Sequence, residues 1–201
     1  MLKTEKWFIR KAEKSDLPGV LHVYACARKF MAETGNGTQW GDTYPPSALL
    51  EEDIEKGRLY VTEEDGDIHG AFVFFIGEEP AYARIERGAW LSDGTYGVIH
   101  RVAGDGCLHG ILRGILAFCE EKTSHLRIDT HENNKVMRHL LEKNGFRFCG
   151  IIYVEDGTHR IASEHLSYLG SGGIKMLHTF YELCSCGGRT CPIQSTMQER
   201  N

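Results

Sequence analysis

The stretch that most constrains this chain runs from Tyr96 to Glu121, YGVIHRVAGDGCLHGILRGILAFCEE. Val98, Ile99 and Val102 are β-branched within a short apolar run and predict a strand. Ala103-Gly104-Asp105-Gly106-Cys107 follows as a loop, too rich in glycine for the interior of a strand or helix. A helix then begins near His109, with Leu108, Ile111, Leu112, Ile115, Leu116 and Cys119 at helical spacing. A strand, a glycine-rich loop and a helix N-terminus together offer free N–H groups and a positive dipole end to an anion such as phosphate. Neither GxxxxGK(S/T) nor GxGxxG is present. By itself, therefore, the stretch predicts a strand–helix crossover with a glycine-rich turn.

The flanking segments extend the pattern. Trp7 to Ala12 predicts a first strand. Ser15 predicts a cap for a helix from Asp16, with Pro18 in its first turn and Leu17, Val20, Leu21, Tyr24 and Ala25 on its apolar face. Gly35 to Pro46, GNGTQWGDTYPP, is loop by composition but carries Trp40 and Tyr44. Such a loop packs onto something, or Trp40 plugs the core. Ser47 predicts the cap of a second helix through Lys56. Arg58 to Glu63 and Ile68 to Ile76 form a hairpin around Asp65-Gly66-Asp67, and an irregular segment reaches Gly94. After the central stretch come a strand at Leu126 to Thr130 and a helix from about Glu132 to Lys143, stopped by Gly145. Phe146 to Val154 and His159 to Ser163 then flank Asp156-Gly157 as a second hairpin. The order β-α-α-β-β-β-α-β-α-β-β predicts an α+β fold, a mixed sheet with helices on both faces.

Composition narrows the function. A net charge of −5 argues against nucleic-acid binding through general basicity. No apolar run approaches the roughly 18 residues of a membrane span, and the charged start MLKTEKWFIRKAEK does not read as a signal peptide. Cys26, Cys107, Cys119 and Cys149, among seven cysteines, sit in otherwise regular segments and read as reduced thiols of a cytoplasmic protein. From Ser167 periodicity weakens and Cys184, Cys186 and Cys191 cluster. The spacing C-x-C-x4-C lacks a fourth ligand and the paired CxxC pattern, so no metal is expected. The organisation expected is one domain over 1–166 and an unstructured extension over 167–201.

Further motifs carry a family resemblance. Ile128-Asp129-Thr130 on a strand, Asn134 four residues later, and Leu141-Glu142-Lys143-Asn144-Gly145-Phe146 at a helix end keep their relative spacing. With His100-Arg101-Val102 and the loop Cys107-Leu108-His109-Gly110-Ile111-Leu112, they resemble the GNAT N-acetyltransferases over about residues 6 to 165. The fuller string RIDTHENNKVMRHLLEKNGFRFCGIIYVEDG, with HRVA upstream and GNGTQW near the start, is similar to an uncharacterised bacterial subgroup of that superfamily. In the loop only Gly110 matches a signature glycine. Cys107 stands for a basic or amide residue, and Leu112 for a small one.

The resemblance implies a mostly antiparallel GNAT-like sheet and transfer of an acetyl group from acetyl-CoA to a small or peptidyl amine. It implies pantetheine along the backbone at Arg101 and Val102. The diphosphate then lies on the N–H groups from Cys107 through His109, Gly110, Ile111 and Leu112, and Asn134 bonds pantetheine or a water. It places the acceptor under the Glu33 to Tyr44 segment, with Glu33 and Trp40 as contacts, and leaves a homodimer open. Asp129 stands where such enzymes often keep a carboxylate base, since an ammonium must lose a proton before it attacks. Its plainer roles are a helix cap or a pair with Arg127, and Asn134 likewise reads as a cap. Leu141 occupies the position of the family's tyrosine acid and cannot donate a proton; His100, His131 and Tyr153 are substitutes to consider. The loss of that acid also fits a catalytically impaired acyl-CoA-binding module.

Overall fold

The computed structural model describes residues 7–167. The expectations for the C-terminal extension, Cys184, Cys186 and Cys191 included, lie outside the described residues. In chain order the elements are β1 (Phe8–Lys11), α1 (Leu17–Glu33), α2 (Ser47–Glu55), β2 (Leu59–Glu64), β3 (Asp67–Ile76), β4 (Gly97–Gly104), α3 (Ile111–Glu120), β5 (His125–Thr130), α4 (Lys135–Lys143), β6 (Arg147–Tyr153) and β7 (His159–Leu166). Short 3-10 turns stand at Lys14–Asp16 and Pro80–Tyr82.

The strands form one seven-stranded sheet in the order β1-β2-β3-β4-β5-β7-β6. Every neighbouring pair is antiparallel except β4 and β5, which run parallel. This is the α+β architecture expected. Core residues of α1 and α2, among them Val20, Tyr24 and Leu50, pack with Val61, Ala71 and Val73. Those of α3 and α4, among them Ile115, Leu116 and Leu141, pack with Phe72, Ile99 and Ile128. Alternate residues along β3 therefore feed opposite cores, and its near-continuous apolar run follows from burial on both faces.

Several helix starts differ from expectation for local reasons. Ser15 does not cap α1; it lies in a 3-10 turn where the Glu13 N–H donates to Asp16 Oδ2 at 2.7 Å, and α1 starts at Leu17. Pro46 takes the cap position of α2, and Ser47 is its first residue. β7 continues to Leu166 because Glu164, a polar residue in a core strand, finds partners inside the fold. Its carboxylate is fully buried and takes an ion pair from His125, an N–H from Leu91, and Arg127 Nε at 2.8 Å. The Arg127 guanidinium in turn lies over the rings of Trp90 and Tyr96, at 4.1 and 3.9 Å from their centroids. This network fastens the irregular segment 77–96 onto the sheet and seats Tyr82 against Val98, Ile152 and Ala162.

The parallel pairing of β4 and β5 lasts for three residue pairs, Gly97 with Leu126, Val98 with Arg127 and Ile99 with Ile128. Beyond them the strands part. On the other side of β4 a bulge sets Arg101 and Val102 opposite Phe72, and Arg101 takes a φ of +51°. That bulge re-aims β4 where it leaves β5.

Candidate active site

His100 and Asp129 follow directly on the last β4–β5 pair, so side chains of the two strands meet at the mouth of the opening. Asp129 Oδ1 accepts a hydrogen bond from Tyr82 Oη at 2.8 Å and lies 3.4 Å from His100 Nδ1. The other ring nitrogen, His100 Nε2, lies 3.1 Å from Glu79 Oε2. One imidazole thus stands between two carboxylates. The His100 hydrogen bond holds the Glu79 carboxyl below its ordinary range against the opposing effect of burial. Burial, reinforced by Asp129, pushes the Tyr82 phenol well up, so it remains a donor to the carboxylate. Asp129 neither caps α4 nor pairs with Arg127, whose partner is Glu164.

On the β4 side of the opening, the Arg101 guanidinium is ion-paired with Asp53 of α2 and donates to Tyr44 Oη at 3.4 Å. Its carbonyl accepts from Tyr24 Oη at 2.9 Å, and its buried Nε has no hydrogen-bond partner among the described residues. Trp40 meets Tyr24 edge-on at 5.6 Å between centroids and Tyr44 at 6.3 Å. It is partly buried against the α1–α2 core, so it does serve as a plug. The same segment reaches α4: Gln39 Oε1 accepts from Asn36 Nδ2 at 2.7 Å and from Asn134 Nδ2 at 3.2 Å. Asn134 Oδ1 accepts the Met137 N–H at 3.0 Å, making Asn134 the cap of α4. Its amide would have to exchange Gln39 for a ligand. Glu33 ends α1 in an exposed position.

The glycine-rich loop forms a second cluster. Gly110 caps α3 with φ +77°, and a side chain built there would meet no atom within 4 Å. The first helical bond runs from the Gly114 N–H to the Gly110 carbonyl. The N–H groups of Ile111, Leu112 and Arg113 therefore precede the first intrahelical acceptor and point out of the helix end. Ile111 and Leu112 bury their side chains in the core and offer only backbone. His109 and Cys107 are exposed, and the Cys107 N–H donates to Asp105 Oδ1 at 2.8 Å. Val102 packs beside the α3 core. An open helix end of this kind accommodates a diphosphate through backbone donors.

Glu79 and Tyr82 were not legible as site residues. The Pro80 3-10 turn that presents them lies in a segment without periodicity; the visible signal was one buried-type aromatic among polar residues. Of the substitutes for the absent tyrosine acid, His100 is central to the cluster. Tyr153 is exposed and donates to Glu86 at 3.2 Å, while His131 lies by His159 with its imidazole pushed down chiefly by burial. Leu141 is 2 % exposed within the core.

No family model matches the chain, and no curated protein does. Solved structures do. A GNAT-family acetyltransferase from Streptococcus agalactiae is 29% identical, with a TM-score of 0.74 over 84% of this chain and 99% of its own. A Staphylococcus aureus protein described as an acetyltransferase is 26% identical, with a TM-score of 0.57 over 79% of this chain and 98% of its own. The chain has the fold of the GNAT acetyltransferases. A GNAT-family acetyltransferase from Listeria monocytogenes, at 20% identity and a TM-score of 0.60 over 80% of this chain and 95% of its own, shares the fold. These GNAT neighbours support an acetyltransferase as the general kind of protein. Among the described residues no helix is long and apolar enough to cross a membrane.

Proposed function

We propose that this GNAT protein transfers the acetyl group of acetyl-CoA to a primary amine by direct attack on the thioester. The observation that carries the reading is the Asp129–His100–Glu79 cluster standing where β4 and β5 part. Pantetheine takes the unpaired strand edge near Arg101 and Val102, and the diphosphate takes the N–H groups at the start of α3. The amine nitrogen bonds to the thioester carbon while Asp129 accepts its proton, directly or through water. A backbone N–H of the parted strand serves the tetrahedral oxyanion. Collapse breaks the C–S bond; the thiolate, with a conjugate thiol near pKa of about 8.5, leaves without an enzymic acid and takes its proton from solvent. His100 extends the proton path from Asp129 to the partly exposed carboxylate of Glu79. Two carboxylates around one imidazole also favour a cationic acceptor, which approaches under the Glu33 to Tyr44 segment.

The core position of Leu141 favours a second reading, an acyl-CoA-binding module with little turnover. A library of amine acceptors, assayed by thiol detection of released CoA and paired with calorimetry of CoA binding, separates the two. Turnover with any amine that is lost in Asp129→Asn supports the enzyme. CoA binding with no turnover supports the module, and the absence of both overturns the acyl-CoA reading.

A further inference from the structure

A second group of side chains converges away from the Asp129 cluster. His69 of β3, Asp105 at the end of β4 and Cys107 two residues later bring a ring nitrogen, a carboxylate oxygen and a sulfur within 4.8 Å of one another. We propose that His69, Asp105 and Cys107 bind a divalent transition-metal ion of the zinc type, with remaining positions open to water or an anion.

The scaffold brings these donors together. The β3–β4 ladder ends at Gly70 opposite Gly104, and one step on the Asp105 N–H donates to the His69 carbonyl at 3.1 Å. His69 and Asp105 are therefore held opposite each other by two strands, with His69 Nδ1 2.8 Å from Asp105 Oδ2. Gly106 has φ +88°, which turns the chain sharply, and Asp105 Oδ1 secures the turn by accepting the Cys107 N–H at 2.8 Å. Cys107 Sγ thus returns to the side of the carboxylate. Asp105 and His69 are shielded, with 7% and 18% of their side chains exposed, while Cys107 faces solvent and gives an ion a way in.

The donor set selects the ion class. Calcium and magnesium take oxygen ligands and leave a thiol and an imidazole unused. One nitrogen, one oxygen and one sulfur suit zinc, and three protein ligands leave a coordination position open. Binding replaces the His69–Asp105 hydrogen bond by two metal bonds; the proton of that bond leaves His69 Nδ1, the neutral ring keeping one on Nε2 by exchange with solvent, the Cys107 thiol gives its proton to the solvent, and no electron moves. The ion would add positive charge at the root of the loop that precedes α3. The site stands whether or not the acetyltransferase reading holds, since its test needs neither acetyl-CoA nor an amine.

Cobalt(II) is the probe, because a cobalt–thiolate bond gives a near-ultraviolet charge-transfer band. The full chain is reduced and titrated with cobalt, then with zinc in competition. Cys184, Cys186 and Cys191 are replaced by serine so that their thiols cannot contribute. In that background one equivalent of cobalt should bring up the band and zinc should remove it. Cys107→Ser should abolish the band, and His69→Phe should weaken binding by more than about 100-fold, beyond the roughly 10–100-fold that loss of an outer-shell partner typically costs. Circular dichroism checks that each variant is folded. Should a His69 variant not fold, Asp105→Asn tests the same site. No thiolate band in the triple-serine chain, or a band that survives Cys107→Ser, overturns the proposal.

Discussion

Tyr82 Oη donates to Asp129 Oδ1 at 2.8 Å across 47 residues of sequence. The phenol comes from a 3-10 turn outside the sheet and the carboxylate from the end of β5, so the bond fixes the rotamer of Asp129 where β4 and β5 part. Removing the phenol should loosen a carboxylate whose other side-chain partner among the described residues is His100.

Asp129→Asn tests the role of that carboxylate. An amine with a pKa near that of lysine, about 10.4, is almost wholly protonated at neutral pH. Turnover should fall by roughly 10²–10⁴-fold and recover in part at high pH, with CoA affinity unchanged by calorimetry. Full activity of Asp129→Asn at neutral pH would pass the role to His100.

Gly110→Glu tests the phosphate position. The αL conformation strains any replacement, so Gly110→Ala serves as the control for strain alone. CoA affinity should drop far more in Gly110→Glu, which adds like charge, than in Gly110→Ala. Equal affinities in the two folded variants would move the diphosphate elsewhere.

Trp40→Ala should act twice. Trp40 packs against Tyr24 and Tyr44, so the variant loses stability, by less than the about 3–5 kcal/mol typical of a fully buried tryptophan. If the segment also covers the acceptor, the acceptor's KM rises more than that of acetyl-CoA. Parallel changes in both constants would restrict Trp40 to its packing role.

Glu164→Gln should be among the most destabilising single substitutions. It leaves the Arg127 guanidinium buried without its counter-charge and disturbs the partner of His125, and breaking a buried ion pair costs about 3–5 kcal/mol. Urea unfolding measures the loss directly. A midpoint close to that of the parent chain would show that the network can reorganise around an amide.

His165 supplies a pH dependence. Its imidazole is held above the ordinary value of 6.5 chiefly by a hydrogen bond to Glu120, at 3.3 Å in the ion pair. The contribution is fully present below the unfolded pKa and is lost as pH rises through the folded one. Melting temperature should therefore decline across that window in the parent and decline less in Glu120→Gln. Identical profiles would remove Glu120 as the cause.

Periodicity reported the elements well because strand and helix faces are local patterns. The helix of Val136, Met137 and Leu141 was readable, and so was the possibility that Asn134 caps it. Ends depended on backbone details that composition does not display: α3 begins at Ile111, two residues after the expected start near His109, because Gly110 turns left-handed. The site was legible only where one strand carried it. Asp129 could be named from β5, whereas Glu79 and Tyr82 reach it from an irregular turn held by Arg127 and Glu164, contacts far apart in sequence. Leu141 reads differently in place. It lies inside the core, so Leu141→Tyr must overpack that core and is expected to destabilise the fold before it can supply an acid.

The short parallel pairing of β4 with β5 has a mechanical consequence. The sheet is two antiparallel leaves, β1 to β4 and β5 to β7, stitched along a seam of three residue pairs. His100 sits on one leaf and Asp129 on the other, so the 3.4 Å contact between them is also a stitch, placed at the end where the seam would begin to tear. If Asp129 accepts a proton as proposed above, the proton arrives at that stitch, so the chemistry and the hold between the two leaves share one contact.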